Sequence, residues 1–248
     1  MAEIDYGLWF VDQEGSNSRG TLAIAEVTTP TAYTCQASTY RTLGGSSKHV
    51  PAIVWYAFIG MADTYLKPTR ANFESGVYLD TDGKIYLFQL GTCLEGQNES
   101  GWDTRLISSI PLYGEKIRIT IDVSSATTFY ATAKWTGGSV TLASGWKGNG
   151  YNQGCVFKKE MTLGTNFQSC LTNLWTSPYT ANERNAKVTN FKMGPVSVYD
   201  RNGDFLETIN GTRNYHVSKE TKNICGLPGN PSVTTSNGVN TLSFNLAV

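Results

Sequence analysis

Hydrophobic and polar residues alternate through much of this chain, and clusters of Gly, Asn, Asp and Pro interrupt the alternation at short intervals. A period of two marks a strand with one buried face. Lys116 to Val123 is the strictest case, with Ile117, Ile119, Ile121 and Val123 on one side. In Phe73 to Leu79, residues Phe73, Ser75, Val77 and Leu79 share one face, and Glu74, Gly76 and Tyr78 share the other. Asp80-Thr81-Asp82-Gly83 breaks that run before Lys84 to Phe88 resumes it, which predicts a β-hairpin. Thr136-Gly137-Gly138 predicts another between Phe129–Trp135 and Ser139–Ala143, and Asp200 to Gly203 a third between Val196–Tyr199 and Asp204–Ile209. Cys155 to Leu163 reads as a strand, with Phe157, Lys159, Met161 and Leu163 inward and Val156, Lys158, Glu160 and Thr162 outward. Pro51 to Met61 is strongly apolar and is consistent with a buried strand, with a helix as the alternative for so short a run, and Lys187 to Tyr199 supplies a strand pair broken at Gly194-Pro195. Asp5–Phe10 and Thr21–Val27 read as a first pair of strands, and Gly145 to Gly154 as a loop.

No internal repeat, low-complexity tract or amphipathic helix emerges. Short strands separated by turn signals predict an all-β protein of two packed antiparallel sheets. The 248 residues suit one large β-sandwich domain, assigned here to 1–199, with 200–248 as extra strands or a tail on the same domain.

Charge changes the picture by exclusion. Twenty Lys+Arg balance twenty Asp+Glu without runs of like charge, so nothing recruits nucleic acid or an anionic membrane. No apolar run approaches the ~18–20 residues of a membrane helix. Met1 to Asp5 lacks a basic, apolar leader, so the chain reads as cytosolic or as a mature form with a new initiator Met. Low charge, with abundant Ser, Thr, Asn and Gly, favours a secreted or extracellular protein. Cys35, Cys93, Cys155, Cys170 and Cys225 contain no C-x-x-C pair; the odd number allows at most two disulfides and a free thiol. His49 and His216 lack metal-ligand spacing, and no cofactor or metal is expected.

Carboxylates are then the remaining candidates for catalysis. Glu74 and Glu160 both point away from the expected core, and on neighbouring strands they would meet. Two close carboxylates resist ionising together, so one serves as base toward water while the other stays protonated. Such a pair suits hydrolysis of a peptide or a glycosidic bond. The plainer reading is two solvated strand-face residues, the usual place for glutamate.

Several segments, in order, resemble the eqolisin family of glutamic peptidases. Phe58-Ile59-Gly60-Met61 resembles that family's Trp-Val-Gly-Ile strand, and Phe73-Glu74-Ser75-Gly76-Val77 its Leu-Gln-Thr-Gly-Val. Lys116 to Val123 resembles its Ile-Lys-Val-Thr-Val strand, and Ala25 to Pro30 its Ala-Thr-Phe-Thr-Val-Pro. Cys155 and Glu160 resemble its cysteine-to-glutamate spacing. The resemblance spans roughly residues 5–199. It implies a concanavalin A-like sandwich (jelly roll), a polypeptide substrate, and hydrolysis at acidic pH by Glu74 and Glu160, with Gly76, Tyr78 and Lys158 beside the substrate. Glu74 stands where the family has glutamine, which is similar to the two-glutamate dyad of neprosin-like glutamic peptidases. Lys158, Lys159 and Met161 replace the family's apolar neighbours of the second glutamate.

A lectin-like sandwich that binds glycans without chemistry is the alternative, with glycan hydrolase, glycan lyase or a structural surface module behind it. Tyr78, Tyr86, Trp102, Trp135, Trp146 and Trp175 are candidates for a sugar-stacking platform, or else core and hairpin packing. The Asp80 and Asp200 loops carry oxygen ligands at calcium-loop-like spacing but lack the downstream glutamate of an EF-hand, so they read as turns. Ser46-Ser47-Lys48-His49 places nucleophile and base side by side, which does not build a triad.

Overall fold

The computed structural model describes residues 8–12, 18–34, 53–62, 72–80, 83–91, 102–146, 150–163, 186–210, 214–217 and 232–246. These form two antiparallel sheets stacked as a sandwich. In the first, the strand order is β15 (Asn214–Val217), β1 (Leu8–Asp12), β11 (Val156–Leu163), β4 (Ile53–Ala62), β5 (Asn72–Asp80), β6 (Ile85–Leu90) and β7 (Trp102–Ser108). In the second it is β10 (Gly138–Gly145), β9 (Thr128–Trp135), β8 (Lys116–Asp122), β2 (Leu22–Thr28), β12 (Ala186–Met193), β17 (Val239–Leu246) and β16 (Ser232–Ser236). Three short strands join the second sheet off this path: β3 (Ala32–Thr34), β13 (Val196–Tyr199) and β14 (Phe205–Ile209).

The alternation along each strand decides what fills the space between the sheets. Ile117, Ile119 and Ile121 of β8 and Ala23, Ala25 and Val27 of β2 meet Trp55, Ala57, Ile59 and Met61 of β4 and Phe73, Val77 and Leu79 of β5 in one buried cluster. Each large side chain withdrawn from water there contributes about 1.5–3 kcal/mol. The Pro51–Met61 segment reads as strongly apolar because β4 is covered on both faces: its odd residues enter the core, while Tyr56 and Phe58 on the other side are buried among aromatics.

Polar groups inside the sandwich are tied across it. Ser144 Oγ of β10 donates to Gln89 Oε1 of β6 at 2.6 Å, joining the two sheets. Lys159 of β11 is 1 % exposed, and its Nζ donates to Gly238 O at 2.9 Å. Gly238 lies in the turn between β16 and β17, where Asn237 and Gly238 have φ of 50° and 73°. Two successive left-handed residues match the twist of a two-residue hairpin.

The hairpins β5–β6, β9–β10 and β13–β14 form where the turn residues place them. At the last, Asp200 Oδ1 accepts from the backbone N–H of Asn202 and of Asp204, each at 2.8 Å. Its carboxylate is thus spent on the turn. That hairpin crosses residue 200, and the later strands β15, β16 and β17 pair within the two sheets. The strands on either side of Gly194-Pro195 both lie along β2, with Gly194 N–H donating to Glu26 O at 2.8 Å.

Two expectations are corrected. The first two strands do not pair: β1 lies between β11 and β15 in one sheet, and β2 pairs with β8, β12 and β13 in the other. Alternation assigns faces but not neighbours, and adjacency in sequence misled. The 145–154 loop also contains one helical turn, α1 (Gly150–Gln153).

Candidate active site

The outer face of the first sheet is organised by cross-strand rows centred on β4. Lys158, Gly60, Glu74 and Leu90 form one row across β11, β4, β5 and β6. Glu160, Phe58, Gly76 and Phe88 form the next. Tyr56, Tyr78 and Tyr86 stand in the third, opposite Thr162 of β11. Neighbouring strands are about 4.8 Å apart, and same-face residues on one strand about 6.6 Å. Glu74 and Glu160 therefore flank the central strand and differ by one row.

Two glycines shape the space around the carboxylates. A Cβ on Gly60 would lie 2.1 Å from Lys158 Cε, 2.6 Å from its Cγ and 2.9 Å from its Cδ. The lysine stem thus crosses directly above Gly60. A Cβ on Gly76 would lie 2.0 Å from Ala57 O and 2.5 Å from Phe58 Cα, so β4 and β5 approach there only because residue 76 has no side chain.

Glu160 is buried and ion-paired, its Oε2 2.9 Å from Lys158 Nζ. Desolvation raises its pKa, and the lysine charge and hydrogen bond pull it back. Glu74 is half-buried and is pushed up to about 7, first by desolvation, then by the negative charge of Glu160, with Lys158 opposing. The two carboxylates therefore sense one another. At neutral pH, Glu74 holds a proton for much of the time.

Beside them lies an aromatic layer. Tyr56 stacks on Phe58 with centroids 5.0 Å apart, Tyr78 on Tyr86 at 5.2 Å, and Phe88 meets Phe58 edge-on at 6.1 Å. Such pairs each contribute about 0.5–1.5 kcal/mol beyond burial, so this wall is stiff.

The structure thus brings Glu74, Gly76, Tyr78, Lys158 and Glu160 onto one face. The sequence reading passed over Gly60, Phe58, Tyr56 and Phe88 as parts of it. Their parity matches that of the glutamates, but β4 is apolar on both faces, so polarity could not separate site face from core face. Of the sugar-platform candidates, Trp146 is a core residue packed on Phe73 at 5.3 Å, and Tyr78 is buried. Trp135 packs partly buried against the core. Trp175 and the Ser46–His49 stretch lie outside the described residues. Cys155 is buried, and the other four cysteines lie outside the described residues. Among the described residues, no three His, Cys, Asp or Glu side chains gather as a metal site, and no helix is long and apolar enough to cross a membrane.

Two antiparallel sheets in this arrangement make a concanavalin A-like sandwich, here with a carboxylate pair on the outer face of one sheet. Among solved structures, Scytalido-glutamic peptidase bound to a peptide-based transition-state analogue matches at TM-score 0.50 and 12 % identity, over 97 % of this chain and 98 % of that one. SCP-B, a member of the eqolisin family of peptidases in complex with the tripeptide Ala-Ile-His, matches at TM-score 0.47 and 13 % identity, over 97 % and 98 %. The fold is thus the one seen in Scytalido-glutamic peptidase. No protein-family model matches the chain, and a search of curated proteins finds no match.

Proposed function

We propose that this protein is a glutamic peptidase-type hydrolase that cleaves polypeptides through Glu74 and Glu160. The observation that carries the reading is their placement: two desolvated carboxylates flank one strand on the same face, and the charge of one raises the pKa of the other. The shared fold with Scytalido-glutamic peptidase supports it.

In this reading Glu160, ionised, takes a proton from a water as its oxygen attacks the peptide carbonyl. Glu74, protonated, donates a hydrogen bond to the oxyanion that forms. Glu160 then passes the proton to the leaving amine as the C–N bond breaks. Both carboxyls end as they began. Gly76, Tyr78 and Lys158 lie toward the substrate. The pair works while it holds one proton, so activity spans acidic pH and falls as Glu74 ionises near 7. We place the protein outside the cell, on its low charge and Ser/Thr/Gly-rich composition.

The test is cleavage of denatured casein across a pH series, beside Glu160→Gln. Activity under acid conditions that disappears in a variant of unchanged fold is the expected result. Wild-type rates in Glu160→Gln, or a folded protein inert at every pH, would overturn the reading.

A further inference from the structure

Two glutamates of identical chemistry contain nothing that decides which is the base. Both are desolvated, and each disfavours the charge of the other. The asymmetry a hydrolytic pair needs must come from its surroundings. On the face of the pair the register sets Tyr56, Phe58 and Gly60 of β4, Tyr78 of β5, Tyr86, Phe88 and Leu90 of β6 and Lys158 of β11, with Val11 of β1 opposite Glu160 and His216 of β15 two strands from it, one row away. The tyrosine, phenylalanine, leucine and glycine residues among these have no cationic form. Lys158 is the cation that the structure sets in contact with the pair.

We propose that Lys158, laid across Gly60, is a positioning residue that holds Glu160 as the ionised member of the pair and leaves the proton to Glu74. The inference rests on the dyad reading and adds a third residue to it. Lys158 starts in the row of Glu74, yet its ammonium ends 2.9 Å from Glu160 Oε2, one row away. That course is open because residue 60 carries no side chain: a methyl group there would overlap the Cγ, Cδ and Cε of the lysine. The pair is also sheltered. The Glu160 side chain is 7 % exposed and that of Lys158 30 %, so water and salt screen their attraction less than at an open surface. The directions agree: the lysine opposes the upward shift of both carboxyls, and its ion pair is made with Glu160.

Gly60 is therefore a determinant of ionisation order although it carries no charge. Moving the stem should act on Glu160 as removing the ammonium does. Lys158→Met keeps the stem and removes the charge, Lys158→Arg keeps a cation, and Gly60→Ala keeps Lys158 but blocks its course.

The experiment measures the pH profile of kcat/KM for peptide cleavage in all three variants. In parallel, carbon-detected NMR follows the Glu160 carboxyl titration, which needs no activity. In Lys158→Met the acidic limb of the profile and the Glu160 midpoint should both move up by a pH unit or more. Gly60→Ala should move them the same way, and Lys158→Arg should leave them within a few tenths of wild type. A merely structural role would lower rates at every pH without moving either midpoint. An unmoved Glu160 midpoint in folded Lys158→Met overturns the inference, whatever Gly60→Ala does. A shifted midpoint in a protein that cleaves no peptide would uphold the role of Lys158 and remove the peptidase reading alone.

Discussion

Gly76 and Phe58 face one another across β5 and β4 with no space between them for a methyl group. A Cβ on Gly76 would fall 2.5 Å from Phe58 Cα and 2.6 Å from its Cβ. Backbone stands in the way, so the strands themselves must part. Gly76→Ala should cost about 1–3 kcal/mol of stability, the usual range for overpacking. Because β4 is the strand between the two glutamates, peptide cleavage should fall by about tenfold or more even where the variant is fully folded. Thermal unfolding and kcat/KM at the same temperature would check both. A variant as stable and as active as wild type would show that the strands separate freely.

Stability should depend on pH through Glu74. Its folded pKa, about 7, lies above the unfolded value of 4.5. Between these values the folded state binds more protons than the unfolded state, so stability falls as pH rises and levels off above 7. At ~1.4 kcal/mol per unit, the loss is about 3 kcal/mol. Denaturant unfolding at intervals from pH 4 to 8 should show the decline in wild type and a flatter curve in Glu74→Gln. Parallel curves would mean that Glu74 titrates alike in both states.

Lys159 points the opposite way from its neighbours, into the sandwich. Lys159→Ala should cost about 2–5 kcal/mol, like other large-to-small core changes. Lys159→Met preserves most of the packed volume and should cost under about 1.5 kcal/mol. Urea midpoints of the two variants would separate stem from charge. If Met were as damaging as Ala, the hydrogen bond to Gly238 O would outweigh the packing of the stem.

The same residue shows what could be read in the sequence and what could not. Alternation placed Lys159 with Phe157 and Met161 on the inward face, and there it lies. The carbonyl that receives its ammonium belongs to a turn 79 residues further on, and no local pattern points to it. Hairpins were legible for the converse reason: Asp-Gly and Gly-Gly turns and the strands they join lie side by side in the chain. Partnerships between distant segments were not, and the expected pairing of the first two strands failed on that ground. Glu74 and Glu160 could be assigned an outward direction, since direction follows from parity. Their neighbourhood depended on β4 lying between β5 and β11, which parity does not specify.

That order of strands has a consequence for synthesis. β4 and β5 can zip together as a local hairpin, but β11 must arrive from far downstream to lie between β4 and β1. Closing so long a loop is slow and comes after local pairing. A chain still emerging from the ribosome exposes Glu74 on a partly formed sheet with no counterpart. Only when β11 docks do two separate glutamates become a pair, so the finished sheet itself times the onset of whatever chemistry they perform.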